Sequence, residues 1–288
     1  MRVLAIGDFH GTFSKKFEKL IKDEKIDLVV SVGDYAPFHY RKLWFKHCYG
    51  KSVELWQVIG KKKYRALVLE DLRRAENVLK KLNKLPIPVY TVLGNVDWPS
   101  TDDSMDLPRK VVKSMPNWDS HDNFAKRLVK YKNIKRFDYR HLKFQDFIFI
   151  GMRGHSAPGD VKSKAFQKHL KKLQSLFSKF RSEKVIFVSH NMAYNTSLDM
   201  ISMKNFRSAM KGYYSKKLKK IKRHYGSKMA RIMVVRNQPI LHIGGHMHEA
   251  WGKDKIGKTI CLNPGAAHDG QAAIIEISGK SVKVKFIK

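Results

Sequence analysis

The sequence predicts a layered α/β fold, and three observations carry that prediction. Short apolar runs recur along the chain, stretches of helical periodicity lie between several of them, and the C-terminal part turns to strands joined by tight turns. The runs are "RVLAI", "DLVVSV", "PVYTVL", "FIFIG", "KVIFVS" and "PILHIG". They are short and rich in β-branched residues, which favours buried strands over helices. Residues 66–84 place Leu69, Leu72, Ala75, Leu79 and Leu82 on one helical face, and residues 163–182 do the same with Phe166, Leu170, Leu173, Phe177 and Phe180. "KTICLN", "QAAIIEI" and "SVKVKFI", the last two joined by the turn "SGK", predict an antiparallel section. Two packed sheets flanked by helices satisfy all three observations. The 288 residues are expected to form one domain.

Composition excludes several classes. With 43% hydrophobic residues the chain is globular rather than disordered. No apolar run reaches the roughly 20 residues that span a bilayer. The N-terminal "MRVLAIGDFHG" runs straight into a strand and a polar motif, with no cleavable small-residue site. Only Cys48 and Cys261 occur, which argues for a reducing compartment, so a cytoplasmic protein is expected. The net charge of +33 predicts attraction to a polyanion: RNA, DNA or an anionic lipid surface. A solvated Lys-rich surface is the plain alternative.

The residues just past the apolar runs carry more information. After "RVLAIG" come Asp8 and His10; after "LVVSVG", Asp34; after "VYTVLG", Asn95; after "VIFVS", His190; after "LHIGG", His246 and His248. In α/β sheets, functional groups gather where loops diverge at the carboxyl ends of strands. Imidazoles and carboxylates together favour borderline divalent metals such as zinc, iron, manganese or cobalt. Seven donors are too many for one tetrahedral zinc and suit two metals that share a carboxylate. The chain has neither a Walker A motif nor a dinucleotide-binding glycine fingerprint.

In order, the blocks "GDFHG", "VGDY", "GNVD", "SHN" and "GGHMHE" resemble the signature of the calcineurin-like metallophosphoesterases, and they spread over residues 7–249. The resemblance implies a four-layer α-β-β-α sandwich with a two-metal site at the strand ends. It implies that Asp8, His10 and His248 hold one divalent ion, that Asn95, His190 and His246 hold the other, and that Asp34 bridges them. It further implies a metal-bridging hydroxide as the nucleophile.

The third block departs from the family. Where the family most often has His, this chain has Val96, so an imidazole that contacts substrate phosphate is missing, and Asp97 is left without its usual partner. "GMRGHSAPGD", after the strand "FIFIG", offers Arg153 and His155 as substrate contacts beside Asn95, or else it is a Gly/Pro surface loop. "LNPGAAHDG" is a turn that makes His268 a further candidate. Residues 204–224, "KNFRSAMKGYYSKKLKKIKRH", carry nine Lys or Arg, no acid and three interleaved aromatics. That composition suits nucleic acid, an anionic membrane surface or a solvated helix. The expectation is a metal-dependent phosphodiesterase acting on a nucleotide or nucleic acid. The alternatives are a nucleotide-diphospho-lipid hydrolase at a membrane surface and a non-catalytic scaffold of the same fold.

Overall fold

Both faces of the central strands find cover, which is why they read as unbroken apolar runs rather than alternating ones, whereas the edge strand "SVKVKFI" alternates. A computed structural model of the chain describes residues 1–48, 51, 53–97, 104–106, 122–201 and 224–288. Its strands, in chain order, are β1 (Arg2–Ile6), β2 (Leu28–Ser31), β3 (Val89–Thr91), β4 (Ile134–Arg136), β5 (His141–Phe144) and β6 (Phe147–Met152). They continue with β7 (Lys184–Asn191), β8 (Leu241–Gly245), β9 (Gly252–Ile256), β10 (Thr259–Asn263), β11 (Ala272–Ser278) and β12 (Ser281–Ile287). Two six-stranded sheets result, ordered β12-β11-β1-β2-β3-β4 and β5-β6-β7-β8-β10-β9. The centres of both are parallel and the outer strands antiparallel, except for β4, which runs parallel to β3.

Alternation along the strands builds four layers. Val3, Ala5, Leu28 and Val30 of the first sheet meet Phe149, Ile186, Val188 and Ile243 of the second in a shared core. Their neighbours Leu4, Ile6 and Val29 turn the other way, onto Phe17, Val68, Leu72 and Leu79 of the helices Lys15–Asp23 and Lys61–Asn83. On the far side, Ile148, Ile150, Val185 and Phe187 pack against Phe166, Leu173, Met229 and Met233 of the helices Lys164–Lys179 and Lys228–Asn237. The expected α-β-β-α sandwich is therefore the observed one.

Some details differ from expectation. The helix expected at 66–84 runs Lys61–Asn83, and Leu69 is 45% exposed because Val68 takes the core position one residue earlier. Phe180 caps the helix Lys164–Lys179 rather than belonging to it. The expected antiparallel section is divided: β11 and β12 extend the first sheet, whereas β10 joins the second, parallel to β8. β4, β5 and β9 are short and half-polar and carry no strong apolar run, since each lies at a sheet edge. Cys48 and Cys261 are buried and unpaired. Among the described residues no helix is long and apolar enough to cross a membrane. Apart from His224, the basic stretch 204–224 lies outside the described residues.

Candidate metal centre

The parallel order of both sheets brings the carboxyl ends of β1, β2, β3, β7 and β8 to one edge. The turns there are laced together: Asp8 N donates to Gly33 O at 2.8 Å, His10 N to Asp34 O at 3.0 Å, and Gly154 N to Leu93 O at 2.6 Å. Asp8, His10, Asp34 and His246 all have positive φ, between 43° and 73°. Such values are uncommon outside glycine, and strained backbone of this kind concentrates at functional sites. The glycines before the donors serve mainly for close approach. Only Gly33 has positive φ among Gly7, Gly33, Gly94 and Gly245, whereas a Cβ on Gly94 would lie 1.9 Å from Asp34 Oδ1 and one on Gly245 2.5 Å from Asp8 Oδ2.

The seven donors form two groups. In the first, His10 Nε2 is 3.2 Å from His248 Nε2, and His248 Nε2 is 3.4 Å from Asp8 Oδ1. In the second, His190 Nε2 is 2.8 Å from Asn95 Oδ1 and 3.5 Å from Asp34 Oδ2, with the His190 and His246 ring centroids 5.1 Å apart. Donor atoms of Asp34, His190 and His246 cluster within 4.8 Å of one another, as do those of Asp8, His10 and Asp34. Asp34 thus belongs to both groups.

Three observations show that a cation fits. His190 Nδ1 donates to Val32 O at 2.8 Å and His10 Nδ1 to Ala36 O at 3.2 Å. In the neutral rings this leaves the Nε2 lone pairs aimed at other acceptors, an arrangement that repels unless a cation lies between. Asp8 Oδ1 is buried with no hydrogen-bond partner, a costly state for a carboxylate without a counter-charge. The donor set itself, imidazole and carboxylate, is one that divalent transition metals take.

The electrostatics agree. Burial alone would raise the Asp8 carboxyl, but His248, His190 and His10 outweigh it and hold it well below the usual carboxylate range. Burial opposes protonation of His190 and His248 too, yet the Asp34 and Asp8 charges draw both upward. Burial pushes His246 down to about 3, with added repulsion from His190, His248 and Arg41. Burial likewise lowers His10. The two buried carboxylates thus favour a positive charge on His190 and His248, while burial opposes one on His10 and His246. The Arg41 guanidinium, at the start of the helix Arg41–His47, adds a cation nearby that no motif announced.

Position 96 serves through its backbone. Val96 N donates to Asp34 Oδ1 at 3.0 Å, and its half-buried side chain packs onto the apolar cluster of Phe9 and Tyr35. Asp97, without its usual histidine partner, binds backbone amides instead. Fully buried, it accepts from Asp34 N and Gly94 N at 2.8 Å, Tyr35 N at 2.7 Å and Ala36 N at 3.4 Å. It thereby fixes the turns that present Asp34 and Asn95.

The loop 153–155 does reach the metal edge, where a Cβ on Gly154 would lie 2.5 Å from Asn95 N. His155, however, is 3% exposed; its Nε2 accepts from Ser227 Oγ at 2.7 Å and its Nδ1 donates to Ser156 O at 3.0 Å. Both ring nitrogens of the candidate substrate contact His155 thus face partners within the protein. Arg153 stays partly exposed beside it.

The sequence matches the family model of the calcineurin-like phosphoesterases over residues 1–250. No curated protein matches it. Among solved structures, a dimetal phosphatase from Danio rerio is similar at 11% identity and TM-score 0.51, over 100% of this chain and 96% of its own. The protein TT1561 of Thermus thermophilus is similar at 14% identity and TM-score 0.50, over 99% of this chain and 97% of its own. These likenesses concern the fold. With the family model over residues 1–250 and both donor groups at the sheet edge, the chain belongs to the calcineurin-like phosphoesterases, metal-dependent hydrolases of phosphoric esters.

Proposed function

We propose that this chain is a phosphodiesterase acting on nucleotide or nucleic-acid phosphodiesters. Asp8, His10 and His248 hold one divalent cation; Asn95, His190 and His246 hold a second; Asp34 joins the two. Manganese, iron, zinc and cobalt all suit these donors. The observation that carries the reading is the joining of both donor groups through Asp34, with a valine at position 96. When bound, such a cation pair supplies Lewis acidity to a phosphoryl oxygen and lowers the pKa of water. The protein's own part is to hold the donors rigid: Asp97 and the carbonyls of Val32 and Ala36 orient Asp34, His190 and His10.

Val96 can neither bind a phosphate oxygen nor donate a proton to a departing alkoxide. The lost phosphate contact weighs most on the doubly charged monoester, which favours diesters, and the lost proton donor favours those diesters whose leaving group departs easily. Arg153 and Arg41 are the cationic side chains near the edge that suit phosphate contact. A cavity of about 590 Å³ beside Asp138 is lined by Lys126 and Arg140 together with Leu128, Val129 and Ile134, and its Arg136 is already paired with Asp138.

The test is a manganese-supplemented assay across a phosphomonoester, a chromogenic diester, cyclic nucleotides and oligonucleotides, with metal content measured on the same protein. Diester turnover above monoester turnover is expected, with two cations per chain. Asp34→Asn is expected to lose at least one cation and nearly all turnover. Monoester preference overturns the substrate reading, and full metal occupancy with intact activity in Asp34→Asn overturns the shared-ligand assignment.

A further inference from the structure

The group of Asp8, His10 and His248 contains a fourth side chain that none of the strand-end motifs supplies. His268 sits in the short turn Ala267–Asp269 between β10 and β11. Its ring centroid lies 5.0 Å from that of His10 and 5.1 Å from that of His248. One donor atom from each of the three rings falls within a cluster 4.8 Å across.

The turn is locked to the site rather than merely near it. Ala267 N donates to Gly7 O at 2.8 Å, and His268 Nδ1 donates to Asp8 O at 2.9 Å. With Nδ1 spent on a carbonyl, Nε2 carries the lone pair. His10 on Ala36 O and His190 on Val32 O are arranged the same way, and a second-sphere carbonyl commonly sets a ligating imidazole in this manner. The other neighbour of His268 Nε2 is Asp269 Oδ1 at 3.4 Å, too long for a strong hydrogen bond. A histidine serving only to pin the turn needs its Nδ1 bond, yet this ring also stands edge-on to two more imidazoles, one of which, His248, has its Nε2 3.4 Å from Asp8 Oδ1.

We infer that His268 is a third imidazole ligand of the cation held by Asp8, His10 and His248. The inference rests on the two-cation reading above. With Asp34 shared, that cation has three nitrogen and two oxygen donors from the protein. A donor count of five, leaving room for one more ligand, suits iron, manganese or cobalt better than zinc, whose protein sites are mostly four-coordinate. The second cation keeps Asn95, His190, His246 and Asp34, so the two sites should differ in metal preference.

Cobalt(II) titrated into the metal-free protein tests this, followed by visible absorption and by metal content after dialysis. The parent is compared with His268→Ala and with His268→Gln, which keeps most of the side-chain volume. Two cobalt ions per chain are expected for the parent. In both variants one of the two affinities should fall by at least about 10-fold, the smallest loss usual even for a second-sphere partner. The cobalt band should strengthen as coordination falls, and circular dichroism should stay unchanged. Two sites with unchanged affinities and an unchanged spectrum in a folded variant overturn the assignment of His268 and leave the two-cation reading standing. A parent that binds fewer than two ions overturns that reading and this inference with it.

Discussion

At the residue scale, positions 96 and 97 decide how the site departs from its family's commonest pattern. Val96 keeps the backbone N–H that Asp34 needs and gives its side chain to the core. Restoring an imidazole there returns less than a well-placed general acid, worth about 10²–10⁴-fold, because Asp97 is already engaged by four amides. Val96→His is expected to raise monoester turnover relative to diester turnover by less than about 10-fold. Steady-state kinetics on a matched pair of substrates checks this. Asp97→Asn is the more damaging change. An amide offers one acceptor oxygen where the carboxylate offered two, and turns an NH₂ toward backbone donors. At least one buried N–H is left unpaired, at a cost of about 1–3 kcal/mol. The displaced Asp34 turn should also weaken metal binding about 10–100-fold. Urea unfolding and metal titration measure the two effects, and a variant unchanged in both would remove Asp97 from the positioning of Asp34.

At the element scale, the helix Lys228–Asn237 and the loop after β6 depend on one hydroxyl. Ser227 Oγ caps the helix by accepting from Ala230 N at 3.1 Å and donates to His155 Nε2 at 2.7 Å. Lys228 N in turn donates to Pro158 O at 3.0 Å, so helix and loop are fastened together beside Asn95. Ser227→Ala removes a cap worth about 1 kcal/mol and leaves a buried ring nitrogen without its donor, at about 1 kcal/mol or more. A lower unfolding midpoint with full metal occupancy is expected. Loss of metal in this variant would mean that the loop helps to form the centre directly.

For the whole molecule, acid stability depends on a histidine outside the metal centre. His242 on β8 is fully buried, stacks on Phe187 with centroids 5.2 Å apart, and contacts Ser189 Oγ through Nε2 at 2.8 Å. Burial pushes its pKa down to about 3. The unfolded chain takes up this proton below about pH 6.5. The folded state resists it until about pH 3, so stability falls as pH drops through that window. The slope from this one group approaches about 1.4 kcal/mol per pH unit. His242→Leu removes it. The stability difference between parent and variant should therefore drift in favour of the variant between about pH 6 and about pH 4 by roughly that slope. Denaturant unfolding at several pH values measures it, and parallel curves for the two proteins would refute the role assigned to His242.

The sequence by itself determined the central strands and the seven donors at their ends, since apolar runs buried on both faces and a polar residue just past each are local patterns. Tertiary structure decided what each remaining residue does. Leu69 or Val68 for the core depended on the phase of a helix against a sheet. Whether a glycine precedes a donor for its φ or for its lack of a side chain depended on how closely two turns approach. Asp97 was legible as a carboxylate without its histidine, but the four amides that bind it lie mostly 61–63 residues away. His155 and His268 looked alike in the sequence, each in a Gly/Pro-rich turn after a strand. One turned inward onto Ser227, and the other turned toward His10 and His248. Nothing local separates them, because the direction of a side chain in a loop is set by what the loop packs against.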